Sequence, residues 1–249
     1  MNDAAHAASA RQRPATRPSP AEADRHGPQA RLRLGLPDTR SSPARQGPRR
    51  LRRGQGHKPG HRPRLARGTT VALRDGSAVL IRPIQATDKP LVAGIFAGLS
   101  DTSRWMRFLA AKAALSPAEL RFLTDIDHHD HEALAAIAPG GHGLGVARYI
   151  RHVGDPQAAE IAIAVVDTWH RRGLGTQLLR QLSDRALRAG IDRFTALASA
   201  DNAAVAALLS TMGAKPVCQE AGTVEYQITL TQRPDPNGRP ATGLGKEAR

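Results

Sequence analysis

The residues best suited to chemistry lie at one predicted strand-to-helix junction. The loop at this junction consists of His170, Arg171, Arg172, Gly173, Leu174, Gly175 and Thr176. A glycine loop in this position presents unpaired backbone N–H groups at the positive end of a helix dipole, which favours a phosphate or pyrophosphate. Glu160 lies on the strand that leads into the loop, and a carboxylate there can accept a proton from a reactant held nearby. We therefore expect anion binding and proton transfer at this junction.

Two common nucleotide-binding loops do not fit the spacing. A dinucleotide-binding fingerprint needs a third glycine, but Leu178 stands at the corresponding position. A nucleoside triphosphate loop needs Lys followed by Ser or Thr, and no such pair follows Gly175. On spacing alone, a tight turn without a ligand stays open as the alternative.

The strand that carries Glu160 has two different faces, because side chains alternate along a strand. The face with small side chains comprises Glu160, Ala162, Ala164 and Val166. The bulky face comprises Ile161, Ile163 and Val165. We expect the small face to leave room for substrates and the bulky face to pack on helices. For Glu160, a surface carboxylate at the start of a strand is the alternative interpretation.

Strands and helices alternate around this junction. A hairpin at Asp75-Gly76 comes first, since this dipeptide tolerates the positive φ angles of a tight turn. The predicted strands are residues 71–74, 77–84, 131–138, 144–152, 159–167, 193–199, 216–220 and 223–230. The predicted helices begin at Thr87 as a cap, at Ser116 as a cap, after the glycine loop, and at Asn202. Adjacent strands in succession favour a mixed α/β fold over a regular doubly wound sheet.

Positive charge is concentrated outside this central segment. Residues 1–68 hold 16 Lys and Arg against 4 Asp and Glu, with 9 of the 18 prolines and none of the 8 aromatic residues. We expect residues 1–68 and 233–249 to be disordered and residues 69–232 to form one domain. The basic arm can bind nucleic acid or an acidic partner. A solvated arm without a partner, or a stretch included by a wrongly chosen start codon, is the alternative.

The cysteine count, the apolar runs and the histidine cluster indicate the cellular compartment and whether a metal is bound. The one cysteine, Cys218, excludes an internal disulfide framework, and no apolar run reaches the length of a membrane span. We therefore expect a cytoplasmic protein with no membrane partner. His128-His129-Asp130-His131 predicts a solvated turn and no metal site, because no second spaced cluster accompanies it.

The loop resembles the acyl-CoA loop of the GNAT N-acetyltransferase superfamily, whose pattern is Gln/Arg-x-x-Gly-x-Gly/Ala between a central strand and the following helix. His170 stands at the Gln/Arg position, which departs from the pattern. Downstream, Asp201-Asn202 followed by Met212-Gly213 is similar to the later helix of the family. The resemblance implies that acetyl-CoA is the co-substrate and that backbone amides of the loop contact its pyrophosphate.

The resemblance extends over about residues 71–230, and over this length it is more specific than the resemblance of the loop alone. Matching segments, in order, are residues 74–76, 79–84, 99–100, 103–104, 107–108 and 115–117. They are similar in order and spacing to the Pat-type bacterial protein lysine acetyltransferases. This resemblance implies a central, mostly antiparallel twisted sheet flanked by helices, a protein lysine as the acceptor, and Glu160 as the base.

The implied site has two parts. The expected cofactor-binding residues are Val165, Val166, His170, Arg171, Arg172, Gly173, Leu174, Gly175, Thr176 and Asn202. A strand distortion near Val165 or Val166 would free a backbone N–H for the thioester oxygen. Leu209 stands where many members of the family have a Tyr that protonates the leaving thiolate. Three alternatives stay open: protonation by Ser210, protonation by a water, or departure of the thiolate without a proton.

Two other functions stay open at this point. One is a small-molecule amine as the acceptor. The other is a non-catalytic acyl-CoA-binding domain whose basic arm binds nucleic acid or an acidic partner, an alternative that the departures at His170 and Leu209 favour.

Overall fold

The computed structural model describes residues 68–231. The arm and the tail that the sequence predicts lie outside the described residues, apart from Gly68. Eight strands form one sheet in the order β1-β2-β3-β4-β5-β6-β8-β7. The strands are β1 Thr69–Ala72, β2 Ala78–Pro83, β3 His131–Ile137, β4 Gly143–His152, β5 Asp155–Val165, β6 Arg193–Ser199, β7 Lys215–Glu220 and β8 Thr223–Thr229.

The sheet is antiparallel except between β5 and β6, so the expected mostly antiparallel arrangement is confirmed. The parallel ladder joins β5 and β6 only from the pair Ala158↔Arg193 to the pair Glu160↔Thr195. β5 continues to Val165 and β6 to Ser199. Beyond Glu160 the facing edges of the two strands are therefore open, and backbone groups there are available for other partners.

Five α-helices flank the sheet in the described part of the chain. They are α1 Lys89–Ala97, α2 Asp101–Phe108, α3 Pro117–Thr124, α4 Leu174–Arg188 and α5 Ala203–Ser210. Leu178, Leu179 and Leu182 of α4 are fully buried on one face of the sheet. The other face packs on α1 and α3 through residues that include Val92 and Leu123. Each fully buried aliphatic side chain contributes about 1.5–3 kcal/mol to folding.

The helix starts differ in part from those predicted. Ser116 begins α3 as expected, because its Oγ accepts from the Glu119 N–H at 3.2 Å and the Glu119 carboxylate accepts from the Ser116 N–H at 2.8 Å. Thr87 is not a cap, since it lies inside a short 3₁₀ turn, Ala86–Asp88, and Asp88 precedes α1. α2 was not predicted as a helix, and Ser100 caps it by accepting from the Ser103 N–H at 3.2 Å.

Over residues 68–231, no helix has both the length and the apolar character that crossing a bilayer requires.

Candidate active site

A cavity of about 720 Å³ opens where β5 and β6 separate. Its walls come from the free edge of β5, the glycine loop, the start of α4, and helices α2 and α5. Arg74, from the turn between β1 and β2, closes one side beside the loop. The predicted loop and the predicted strand therefore meet in a single cavity.

The loop reaches α4 through two residues with left-handed backbone conformation. Arg171 has φ +59° and Gly173 has φ +88°. A Cβ on Gly173 would lie 3.4 Å from Cγ of Arg74, which is an ordinary contact, so conformation and not space favours glycine there. Arg171 adopts the same conformation at a cost in backbone strain, which non-glycine residues at functional sites often show.

The start of α4 leaves backbone donors available. The first intrahelical bond runs from the Gln177 N–H to the Gly173 carbonyl at 3.1 Å. The amides of Leu174, Gly175 and Thr176 therefore have no partner within the helix, and the first turn holds no acidic side chain. Helix dipole and free amides together make this end of α4 attractive to a phosphate. Arg171 also lines the cavity here and adds positive charge.

Gly175 lets α5 and β5 approach the start of α4. A Cβ on Gly175 would lie 3.0 Å from Cδ2 of Leu208 and 3.5 Å from Cδ1 of Ile163. The second glycine of the loop is therefore needed for close packing at the cavity wall.

The side chains of His170, which lines the cavity, and Arg172, which does not, both have partners within the protein. His170 Nε2 lies 2.8 Å from the carbonyl oxygen of Val165, so this departure from the family pattern fastens the loop to the end of β5. Arg172 donates to Asp75 at 2.9 Å, and its guanidinium lies 4.7 Å from the ring centroid of Trp169. The Arg172 side chain is not part of the cavity wall. Its expected role in cofactor binding therefore stays a prediction.

The expected strand distortion near Val165 or Val166 is wrong. The register between β4 and β5 is unbroken from Arg151↔Ala159 to Gly145↔Val165. The Val166 N–H donates to the Leu144 carbonyl at 2.9 Å, so the sheet already uses it. Because bonding directions alternate along an antiparallel strand, the N–H of Val165 points the opposite way, toward the open edge of β5. Separation of β5 from β6, and not a bulge, makes this donor available.

Glu160 lies at the point where the β5–β6 ladder ends, one residue before the cavity wall that starts at Ile161. It pairs with Ile150 on β4 and Thr195 on β6 and is partly buried. The bulky face packs as expected, with Ile163 and Val165 in the α4 core. The small face does not stay clear of the core, since Ala164 and Val166 pack in the α1–α3 core, and residues of both faces line the cavity.

Two arginines, the half-buried Arg107 and the buried Arg148, lie on the side of the sheet that carries Glu160. Burial lowers the pKa of Arg107 to about 10, against the negative charge of Glu160, which raises it. Burial, and then the positive charge of Arg107, lower the pKa of Arg148 to about 9. Arg107 lines the cavity from the last turn of α2. Arg107 was not among the site residues predicted from the sequence, although its place in a matching segment was the available signal.

The later helix supplies a cap and an apolar wall. Asn202 is buried and caps α5, because its Oδ1 accepts from the Val205 N–H at 3.0 Å. It also lines the cavity, as does Leu209, which is 1% exposed. Ser210 is exposed and does not belong to the cavity wall. The candidate acid that the sequence offered therefore lies outside the site.

The histidine-rich turn has protein partners. His128 Nδ1 lies 2.9 Å from the Glu132 carboxylate, and His131 Nε2 accepts from Arg148 at 3.0 Å. Burial, and then the charge of Arg148, lower the pKa of His131 to about 3. Within the part of the chain that the structure describes, no group of three or more His, Cys, Asp or Glu side chains could hold a metal ion.

Comparison with known proteins identifies the family and the fold. The sequence model of the family described as Acetyltransferase (GNAT) domain matches residues 78–215. An acetyltransferase of Pseudomonas aeruginosa is 33% identical over 145 residues, which cover 57% of this chain and 77% of that protein. The acetyltransferase Pat of Mycolicibacterium smegmatis is 28% identical over 162 residues, which cover 64% of this chain. The chain spans about half of that Pat, with 48% of its length covered.

Among solved structures, the GNAT domain of S. lividans PAT is similar to this chain. The TM-score is 0.62 at 30% sequence identity, and the match covers 66% of this chain and 97% of that domain. The sheet and its flanking helices therefore correspond to a GNAT domain along nearly the whole length of the solved structure.

Proposed function

Because the chain belongs to the GNAT acetyltransferase family, we propose that it transfers the acetyl group of acetyl-CoA directly to a protein lysine. Family membership makes the chain an acyltransferase with acetyl-CoA as co-substrate. Lysine as the acceptor is the proposal. Its support is the similarity to proteins named Pat and the sequence resemblance to Pat-type lysine acetyltransferases.

The observation that carries the proposal is the single cavity that joins the start of α4 to the open edge of β5. The residues present fit coenzyme A. Free amides of Leu174, Gly175 and Thr176 suit its diphosphate, and Arg74 and Arg171 supply positive charge beside them. The free edge of β5 offers backbone donors and acceptors for the pantetheine arm.

Glu160 acts on the acceptor. A lysine ammonium has an ordinary pKa of about 10.4, so near neutral pH a base must take a proton before nitrogen can attack. The Glu160 carboxylate takes that proton, directly or through a water. Acetyl-CoA supplies the acetyl group on a thioester, whose carbon–sulfur bond breaks as the carbon–nitrogen bond forms. In this proposal the Val165 N–H, which faces the open edge of β5, donates to the carbonyl oxygen during the attack.

The leaving sulfur needs no acid from the protein. Leu209 has no proton to give, and a free thiol has an ordinary pKa of about 8.5, so a thiolate is a stable leaving group near neutral pH. The second proton lost by the amine goes to solvent, and the thiolate takes one from water when it is protonated. Acetylated lysine, free coenzyme A and one proton are the products.

The test is release of coenzyme A thiol from acetyl-CoA, with mass spectrometry of the acceptor. Wild type is compared with Glu160→Gln and with Glu220→Gln, an exposed glutamate on the edge strand β7 that serves as the matched control. We expect lysine acetylation by wild type and by the control and a loss of about 10²–10⁴-fold in Glu160→Gln. Acetylation of small amines but of no protein would contradict the proposed acceptor. Binding of acetyl-CoA without turnover on any amine would contradict the enzymatic function.

A further inference from the structure

The proposed mechanism assigns no role to Arg107, although this residue lines the cavity. We propose that Arg107 is a positioning residue, which orients the Glu160 side chain and keeps it as the carboxylate that accepts the proton. The inference rests on the proposed function, because it concerns the base of that reaction.

The position of Arg107 supports a role inside the site. α2 packs across both β5 and β6 near the point where their ladder ends at Glu160. Arg107 lies in the last turn of α2, and its Nη1 is fully enclosed without a hydrogen-bond partner among the described residues. Its guanidinium carbon lies 4.9 Å from the ring centroid of Phe108. An arginine that leaves a buried donor unsatisfied is poorly suited to a purely structural role.

The charges around Glu160 explain what Arg107 can do. Arg107 approaches from α2, and its charge interacts with that of Glu160. Arg148 on β4 pairs with Ala162 and so lies diagonally from Glu160 on the same face. Arg107 and Arg148 repel each other, since the positive charge of Arg107 lowers the pKa of Arg148. A negative Glu160 offsets this repulsion, so the pair of arginines favours its ionised form.

Other polar and charged groups share this face. Arg193 on β6 pairs with Ala158 across the ladder and forms an ion pair with Asp155, and Glu225 on β8 lies opposite Leu197. Thr195 on β6 pairs with Glu160, and its Oγ1 lies 3.0 Å from Nε2 of His152 on β4. His131 on β3 accepts from Arg148, and its lowered pKa keeps it neutral near pH 7. Arg107 therefore reaches Glu160 from the helix side, whereas Arg148 and the ion-paired Arg193 are cations on the sheet.

The test is the pH dependence of kcat/KM for wild type, Arg107→Met and Arg107→Lys. Without the cation, the carboxyl is harder to ionise and its pKa rises. The acid limb of the profile, where kcat/KM falls as the pH is lowered, should therefore lie about one pH unit or more higher in Arg107→Met than in wild type. Activity should be reduced near pH 7 and regained at higher pH. The Lys variant keeps the charge and should hold the acid limb close to that of wild type.

Two controls separate positioning from folding. Arg104→Met removes an arginine from the same helix that instead donates to the carbonyl oxygens of Phe96 and Ala97 and lies outside the cavity wall, and it should not move the acid limb. In a Glu160→Gln background, Arg107→Met should cause less than about a twofold further loss, because it acts through Glu160. If the Met variant does not fold, Arg107→Gln removes the charge but keeps a polar side chain and carries the same expectation.

An unmoved acid limb in Arg107→Met or Arg107→Gln would overturn the inference, as would equal losses in the two backgrounds. These outcomes differ from a failure of the proposed function. Full turnover in Glu160→Gln would contradict Glu160 as the base, whereas a large loss there with an unmoved limb in the Arg107 variants contradicts the positioning role alone.

Discussion

The Arg74 N–H donates a 3.1 Å hydrogen bond to the Arg172 carbonyl, which fastens the turn between β1 and β2 to the loop before α4. The Arg74 side chain lines the cavity beside Gly173, whereas the Arg172 side chain turns away to Asp75. Two neighbouring arginines are thus divided between the cavity and the outer surface.

We predict that Arg74→Met weakens acetyl-CoA binding by about 5- to 20-fold, because a charge-assisted contact to phosphate is lost. Isothermal titration calorimetry measures the dissociation constant, and its dependence on salt should weaken in the variant. Arg172→Met is the control and should bind within about threefold of wild type. Equal weakening in both variants would contradict the division between the two side chains.

The backbone of the loop can be tested through Gly173. Gly173→Ala should lower the free energy of unfolding by about 1–2 kcal/mol, because alanine is strained at φ +88°. Gly94→Ala is the matched control, since Gly94 lies in α1 with nothing within 4 Å of an added Cβ. That substitution should stabilise the protein by up to about 1 kcal/mol. Urea denaturation measures both changes, and a stable Gly173→Ala variant would contradict the left-handed loop.

The protonation of His131 should make stability depend on pH. Its pKa is about 3 in the folded protein and about 6.5 when unfolded, so below pH 6.5 the unfolded chain binds the extra proton. Stability contributed by the neutral ring is therefore present above pH 6.5 and lost as pH falls toward 3. The slope approaches about 1.4 kcal/mol per pH unit for one group. In His131→Gln, urea denaturation between pH 7 and pH 5 should show a slope smaller by this amount, and an unchanged slope would argue against a neutral buried His131.

A variant of α5 can test whether Ser210 donates a proton to the leaving sulfur. Ser210→Ala should keep kcat within about twofold of wild type, because Ser210 is exposed and lies outside the cavity wall. Steady-state release of coenzyme A measures this at saturating acetyl-CoA. A tenfold loss, which is about 1.4 kcal/mol in the barrier, would mean that Ser210 reaches the leaving group after all.

The parts of the fold that local sequence patterns encode were predicted well. The hairpin at Asp75-Gly76, the capping box at Ser116 and the glycine loop before α4 each depend on a few consecutive residues with defined backbone preferences. The two faces of β5 follow from simple alternation, and the structure places them in two different cores. Local signals of this kind also predict an anion site at the loop, and this stays a prediction.

What was missed depends on contacts between distant segments. α2 is short and polar, and its stability comes from packing on β5 and β6, which no local pattern reveals. The direction of the Val165 N–H depends on where the β5–β6 ladder ends, and the burial of Arg107 depends on α2 covering that point. The charge interaction of Arg107 with Glu160 therefore emerges only when the strands and the helix are assembled.

We predict that backbone amides at the start of α4 bind the diphosphate of coenzyme A. The most direct measurement is an NMR titration that follows the amides of Gly173, Leu174, Gly175 and Thr176. Coenzyme A should shift these four signals strongly, and pantetheine, which lacks the diphosphate, should leave them nearly unmoved. Equal shifts with both ligands, or no shift with coenzyme A bound, would contradict the account.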